Sequence, residues 1–411
     1  MEQVLYSLPD GWEWKTLSDV VDKTENLNPL KHADQLWTYI DISSVNSNRF
    51  TITDPKEVLG KDAPSRAKKH VQINDVIFAT TRPNLKNIAL VRDEYRSPVA
   101  SSGFCVLRAN ENILPAFLFY FVTTDFVQAQ IEPYVSGASY PAITDRNLKK
   151  ASIPIPCIEE QKRIVEKLEA LLTRIDTAID HLQESVTLAD ALYASELNEV
   201  FPSDADIESL SDRYGWVYLS DICTFENGDR GKNYPSKSAF VAEGIPVVSA
   251  GNLGERYIDH KGLNYITPER YDLLRSGRIK IGDILFCLRG SLGKVAISKD
   301  IDDGVIASSL VIVRPKDRVS AEYVYRYFKS SLCQKFISYY NNGAAQPNLS
   351  AKSLGKFMLP LPNSEEQKKI VNDLDEKYQL NQKLLDALRI KINRLERLKA
   401  SILDSAFKGD L

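Results

Sequence analysis

Cysteine is sparse and scattered in this chain of 411 residues. Cys105, Cys157, Cys223, Cys287 and Cys333 are odd in number, and no two form a C-x-x-C pair. A disulfide framework and a zinc site are therefore not expected, and the cysteines read as small buried apolar residues. His32, His70, His181 and His260 stand apart from one another and from the cysteines, which suits packing or surface roles better than metal ligation. Long apolar runs are missing too. The best, Ile113 to Val122, is about half the 18–20 residues that a membrane span needs, and it reads as a buried helix. The opening MEQVLYSLPDGW lacks the basic-then-apolar order of a secretory signal, so a cytoplasmic protein without membrane contact is expected. Positive charge is not in excess. The net charge is −3, whereas a domain that grips a polyanion alone is usually basic. The cations are bunched, however: Lys61, Arg66, Lys68, Lys69 and His70; Arg82, Lys86, Arg92 and Arg96; Arg146, Lys149 and Lys150. Acid gathers elsewhere, as at Glu159, Glu160, Glu166 and Glu169. A chain that works within a larger assembly can leave part of the neutralisation to its partners.

Catalytic signatures are lacking as well. RGSLGKV resembles a phosphate-binding loop, but Leu288 stands where the first Gly of G-x-x-x-x-G-K-[ST] belongs and Val295 replaces the Ser/Thr. Pro9-Asp10 is too close to Glu13 and Lys15 to set a nuclease's residues on adjacent strands. There is no Asn-Pro-Pro-aromatic or Asp-Pro-Pro-aromatic motif, and no Gly-rich cofactor loop between a strand and a helix. With 43% hydrophobic and 26% charged residues, the chain is expected to be soluble and globular, with two or three domains.

What is present is a repeat. IPIPCIEEQKRIVEKL (Ile153 to Leu168) returns as LPLPNSEEQKKIVNDL (Leu359 to Leu374), an offset of 206. YVSGASYPAIT (Tyr134 to Thr144) returns as YNNGAAQPNLS (Tyr340 to Ser350) at the same offset. Ala100-Ser101-Ser102 matches Ala307-Ser308-Ser309 at 207, and WKTLSDV (Trp14 to Val20) matches WVYLSDI (Trp216 to Ile222) at 202. INDVIFATTRPNLKNIAL (Ile73 to Leu90) matches IGDILFCLRGSLGKVAI (Ile281 to Ile297), with one residue more in the first copy. The blocks are collinear, so a unit of about 205 residues is duplicated. Residues 22–70 and 224–278 share almost nothing. A common scaffold carrying two different surfaces is implied.

Each copy opens with short Val-, Ile- and Phe-rich runs broken by Gly, Asn, Asp and Pro, which predict strands. AFLFYFVTTDFVQAQI and AEYVYRYFKSSLCQKFI predict a helix in each copy, and an α+β domain with a curved sheet is expected. Each copy closes with a long helix. Ile164, Leu168, Leu171, Ile175, Ile179, Leu182, Val186 and Ala189 fall mostly three and four apart, as do Ile370 with Leu374 and Leu385, Leu388, Ile392 and Leu395. Acidic pairs, Glu159-Glu160 and Glu365-Glu366, suit the positive end of each helix, and Asn363 or Ser364 is the expected cap of the second. Antiparallel pairing of the two helices suits a pseudo-two-fold repeat, with packing of each on its own domain as the alternative. The expected division is 1–156, first domain; 157–202, first long helix; 203–362, second domain; 363–411, second long helix and tail.

LPDGWEWKTLSDV, the paired IPIP…EEQKRIV and LPLP…EEQKKIV, GAAQPNLS and the terminal RLKASILDSAFKGDL together make the chain resemble the specificity subunits of type I restriction–modification enzymes. The resemblance covers nearly the whole chain. It implies two pseudo-symmetric target-recognition domains joined by two long antiparallel coiled-coil helices. Each domain would read one half of a bipartite asymmetric site in double-stranded DNA, and the helices would set the unread spacer. Two modification (methyltransferase) subunits and restriction (endonuclease/translocase) subunits would be the partners. They would bind S-adenosylmethionine and ATP, leaving this chain without cofactor or catalysis. A coiled-coil protein scaffold and a stand-alone DNA-binding regulator are the rival expectations.

Base edges in the major groove are read by Arg, Lys, Asn or Gln on reaching loops. The repeat aligns Arg82-Pro83-Asn84-Leu85-Lys86-Asn87 with Arg289-Gly290-Ser291-Leu292-Gly293-Lys294, and Gly137-Ala138-Ser139-Tyr140-Pro141 with Gly343-Ala344-Ala345-Gln346-Pro347-Asn348. In this alignment Arg82 and Arg289 coincide, so phosphate contact is their expected role. Tyr140 and Gln346 differ at matched positions and are the better specificity candidates. Asn84, Lys86, Ser291, Lys294 and Asn348 lie on the same loops; Arg66, Lys68, Lys69, Arg230, Lys232 and Asn233 complete the set from the divergent segments.

Overall fold

The structure, a computed structural model, describes residues 5–203, 215–231, 234–341 and 348–411. It divides into two compact units, Met1–Gln183 with Arg389–Leu411, and Glu184–Leu388. Each unit thus contains a stretch of both long helices.

In the first unit the predicted strands form two sheets of four rather than one curved sheet. One runs in the order Val21–Asp22, Phe104–Ala109, Val76–Ala79, Ile88–Leu90, all antiparallel. The other runs Lys56–Leu59, Leu36–Ile40, Pro98–Ser101, Ala67–His70, with its two inner strands parallel. Glu13–Thr16 pairs with Ser152–Ile155, which explains why the Trp-Lys-Thr and Ile-Pro-Ile-Pro blocks recur together. The second unit repeats this order. Cys223–Asn227, Leu310–Pro315, Ile284–Cys287 and Val295–Ile297 make one sheet, and Asn264–Ile266, Ile245–Val248, Gly304–Ile306 and Arg278–Ile279 make the other. Trp216–Tyr218 pairs with Met358–Pro360. The dissimilar segments 22–70 and 224–278 therefore supply equivalent strands. A strand asks only for a side-chain alternation that matches its buried face, and many sequences meet that demand.

The helical stretch of each copy is two helices. Pro115–Val122 stops at Thr123, and Thr124 starts Asp125–Ile131 by accepting the Val127 N–H on its hydroxyl. In the second copy Ser330 does the same for Ser331–Tyr340 through the Cys333 N–H. A short hydroxyl side chain satisfies an orphan N–H and so favours a fresh helix start over continuation.

The long helices run Ile158–Val200 and Ser364–Lys408. Asn363 caps the second: its side-chain oxygen accepts the N–H groups of Glu365 and Glu366, both at 3.0 Å. The repeated EEQK motif is a tether. Buried Gln161 donates to the carbonyls of Asn112 and Pro156, both at 3.0 Å, and accepts the Leu114 N–H at 2.8 Å. Gln367, 206 residues on, donates to Arg318 and Pro362 and accepts the Ser320 N–H at 2.9 Å.

Within the first unit, Ile164, Leu168 and Leu172 join Leu403, Ala406 and Phe407 in the core that also holds Phe117 and Phe121. Phe407 meets those two rings edge-on at centroid distances of 5.0 and 5.1 Å. Burying such a side chain stabilises by about 1.5–3 kcal/mol. Within the second unit, Phe201 takes the matching place against Tyr323 and Tyr327, at 5.2 and 5.7 Å. The apolar stripes serve both expected uses, covering the globular core and pairing the helices. The pairing is antiparallel: Lys399 bonds Asp176 and Arg163 donates to the Leu411 carbonyl in the first unit, and Lys377 pairs with Glu196 in the second. Leu172 rather than Leu171 is the more buried of that pair.

Cys105, Cys223, Cys287 and Cys333 are buried as expected, whereas Cys157 is exposed just before the first long helix. Burial pushes the Cys105 and Cys223 thiols up to about 12, which leaves both protonated and unreactive at neutral pH. No described helix is long and apolar enough to cross a membrane.

Candidate nucleic-acid interface

In both units three strips of chain are stitched together by backbone hydrogen bonds: the Ala-Ser-Ser turn, the Arg-bearing loop and the loop before a short helix. In the first unit, Ser102 N–H donates to the Arg66 carbonyl at 2.7 Å and Thr80 N–H donates to Gly103 at 2.8 Å. Ile143 N–H then donates to Thr80 at 2.9 Å, and Arg82 N–H to Pro141 at 2.6 Å. Arg66, Arg82 and Tyr140 stand on these joined strips, and all three are exposed. Tyr140 is 76% exposed, an unusual degree for a tyrosine, and the Arg82 guanidinium lies over its ring, 5.2 Å from the centroid.

The other first-unit candidates are more committed. Lys69 is paired with Asp145 at 2.8 Å, and Lys68 reaches the Asn28 side chain at 3.4 Å. Lys86 turns back to Asp125 at 2.6 Å and to the Thr123 carbonyl at 3.0 Å. Asn84 is exposed at the tip of the Arg82 loop.

In the second unit, Leu288 N–H donates to Ser309 at 2.9 Å, Leu349 N–H to Leu288 at 3.0 Å, and Arg230 to the Ser308 carbonyl at 3.2 Å. These contacts frame a cleft of about 820 Å³ lined by Arg230, Arg275, Arg289 and Lys352, together with Asn227 and Asn348. Among the described residues its lining holds four cations and one carboxylate, that of Asp229. Asp229 accepts the N–H groups of Arg275 at 3.0 Å and Gly231 at 2.6 Å, and these donors hold its carboxyl below the usual carboxylate range. It is spent on shaping the loop. Ser291 is exposed outside this lining, and Lys294 donates to the Ala250 carbonyl at 3.0 Å. Lys232, Asn233 and Gln346 lie outside the described residues.

The expectation that Arg82 and Arg289 coincide is corrected. Thr80 and Leu288 occupy the same register, since each accepts the matching N–H of Ile143 or Leu349. Next along, Thr81 bridges Ala142, and Arg289 bridges Asn348. Arg289 therefore matches Thr81, and Arg82 matches Gly290. Both of the latter adopt positive φ, 50° and 76°. The extra residue of the first copy falls after this point, before the second positive-φ pair, Lys86 and Gly293. Sequence alignment slid the two arginines together because identity is all that it can see.

Arg275 and Lys352 escaped the sequence reading. Lys352 had a signal: it lies 206 beyond Arg146, and each residue follows a hydroxyl-capped helix start, at Ser350 and at Thr144. Arg275 had none, because it lies in a divergent segment.

Two copies of one α+β scaffold, each bearing exposed cationic loops, define a duplicated binding protein suited to a polyanion. The family model for the type I restriction modification DNA specificity domain matches the chain twice, over residues 9–187 and 214–394. The chain belongs to that family. The specificity subunit of the type I restriction enzyme EcoKI of Escherichia coli (strain K12) is 22% identical over 98% of this chain and 90% of its own length. That of MjaVIII from Methanocaldococcus jannaschii is 19% identical over 98% and 94%. Among solved structures, a chain from work on assembly and conformational transition of the type I R-M system aligns with a TM-score of 0.80 and 33% identity, covering 99% of this chain and 100% of that one. The HsdS subunit from Thermoanaerobacter tengcongensis aligns with a TM-score of 0.56 and 34% identity over both full lengths.

Proposed function

We propose that this DNA specificity subunit reads a split, asymmetric site, one half through each unit, and that its long helices fix the unread spacing. The observation that carries this reading is the pairing of a repeated backbone with unrepeated side chains. The three strips meet in the same way in both units, yet one presents Arg66, Arg82 and Tyr140 and the other a cleft of Arg230, Arg275, Arg289 and Lys352. Phosphate contacts position a protein on DNA, and base contacts specify sequence, so a shared frame with different tips serves two different half-sites. Each long helix, of 43 or 45 residues, spans about 65 Å at 1.5 Å per residue. That length accommodates half-sites one to one-and-a-half turns apart on B-DNA, where a turn is about 34 Å.

Modification and restriction subunits are the proposed partners, two of the former. They would carry S-adenosylmethionine and ATP and perform the chemistry, with this chain contributing recognition alone in the cytoplasm. The test is methylome sequencing of a host carrying this gene and its modification partner, before and after deletion of this gene. Loss of a split motif with a fixed spacer is the expected result. Retention of every methylated motif, in a host whose partner is active, overturns the reading.

A further inference from the structure

The first unit keeps an arginine where the second makes do with glycine. At φ 50°, Arg82 occupies the left-handed region that β-carbon-bearing residues avoid, whereas Gly290 enters it freely at φ 76°. The turn itself needs no side chain there, because the second unit forms it without one. Backbone strain retained at an exposed loop points to use of the side chain. The loop is also fixed. The Arg82 N–H is bound to Pro141 at 2.6 Å, and its carbonyl accepts the Leu85 N–H at 2.9 Å.

The Arg82 guanidinium sits against an aromatic ring rather than an acid. It lies over the Tyr140 ring, 5.2 Å from the centroid, and no carboxylate among the described residues pairs with it. Neighbouring Lys69 and Lys86 are both neutralised by aspartates. A phosphate contact needs only charge, which a lysine on a flexible stem supplies. Fixing the plane of a guanidinium matters when its fork must meet two acceptors at once, and guanine offers such a pair, N7 and O6, in the major groove.

We infer that Arg82, oriented by Tyr140, is the residue of the first unit that reads a guanine in its half-site, while Arg289 and the other cations of the second-unit cleft grip phosphates. The inference rests on the proposed DNA reading and goes beyond it by assigning a base to a side chain. Arg82 is the specificity residue, and Tyr140 positions it.

The test uses the full chain assembled with its modification subunits and S-adenosylmethionine on a library of duplexes with randomised positions, with the methylated sequences read out. The wild-type complex is expected to select a split motif containing a guanine that R82G and R82K both render degenerate. Discrimination at that position should fall by about 5- to 160-fold, the range of one good bidentate contact, with the other half-site unchanged. R82G matches the backbone of the second unit and R82K keeps the charge, so neither misfolding nor charge loss explains a shared result. Y140F should behave as wild type, and Y140A should weaken the same position only. An unchanged motif with uniformly lower methylation in R82G would make Arg82 a phosphate contact and overturn the inference while leaving the proposed function intact. Absence of any split motif from the wild-type complex would instead remove the proposed function and the inference with it.

Discussion

At one point of a repeated scaffold, the first unit places Arg82 and the second Gly290; one position earlier, the first has Thr81 and the second Arg289. The backbone barely registers the exchange. Ile143 bonds Thr80 as Leu349 bonds Leu288, and the same left-handed turn follows. Where the repeat preserves side chains as well as path, they hold the frame: Gln161 and Gln367 tether the long helices, and Phe407 and Phe201 fill matching cores. The comparison separates two kinds of residue without any homologous sequence. Repeated side chains build the scaffold, and unrepeated ones on repeated loops are what each unit presents.

The largest expected difference between the units concerns charge. Replacing Arg230, Arg275, Arg289 and Lys352 together by alanine removes the cations that line the second-unit cleft. If each meets a phosphate, the slope of log affinity against log salt for the assembled complex should flatten by about 3.6, at about 0.9 per contact. The selected motif should survive. Arg82→Gly should do the reverse, altering the motif and sparing the slope. A cleft variant with an undiminished salt slope would remove the cleft from the DNA path and erase the contrast.

A second contrast lies deeper. Asp375 sits 206 residues beyond Glu169, yet their surroundings differ. Asp375 pairs with Arg326, whose side chain is only 4% exposed, and with Arg256 at 2.8 Å; Arg326 also donates to the Tyr193 hydroxyl at 2.8 Å, and Arg256 also pairs with Glu322. Glu169 meets Arg92 at 3.8 Å, with both side chains about half exposed. Removing one partner of a buried pair strands the other charge and costs about 3–5 kcal/mol, whereas an exposed pair is worth at most about 1 kcal/mol. Asp375→Ala should therefore lower thermal stability markedly and Glu169→Ala hardly at all. Equal losses would show that the network around Arg326 contributes no more than a surface pair.

The duplication, the α+β class and the two long helices were legible in the sequence because each rests on periodicity: 206 for the repeat, and three-to-four spacing for the seams. The double-sheet arrangement was not, since residues 22–70 and 224–278 carry no common pattern beyond alternation, yet they supply equivalent strands. The helix breaks at Thr124 and Ser330 depend on single hydroxyl caps inside otherwise continuous apolar stretches. At the candidate site, the sequence singled out loops that the structure sets side by side, but not which of their cations are paired. Nothing in the spacing shows that Lys69 and Lys86 are occupied by Asp145 and Asp125, or that Arg275 lines the same cleft as Arg230. The mistaken match of Arg82 with Arg289 arose in the one loop where the copies differ in length, and only hydrogen-bond register resolves it.

The smallest effect bears most directly on why Arg82 is there. Gly290→Ala meets no atom of the described residues within 4 Å, so the cost considered is conformational. Left-handed geometry charges an alanine about 1–2 kcal/mol, and the stiffer unfolded chain returns about 0.4–1 kcal/mol, for a net loss of about 1 kcal/mol. Arg82→Gly runs the other way. It relieves strain of about 1–2 kcal/mol, loses about 0.4–1 kcal/mol to greater freedom of the unfolded chain, and forfeits an exposed cation–π contact of about 0.5–1 kcal/mol. These contributions nearly cancel, so chemical denaturation of Arg82→Gly should match the parent to within about 0.5 kcal/mol. A side chain whose removal leaves stability untouched while blurring one base of the motif is kept for recognition. A loss above about 1.5 kcal/mol would instead make the Arg82–Tyr140 stack a strut of the loop, and the difference between the two units would then be one of architecture rather than of reading.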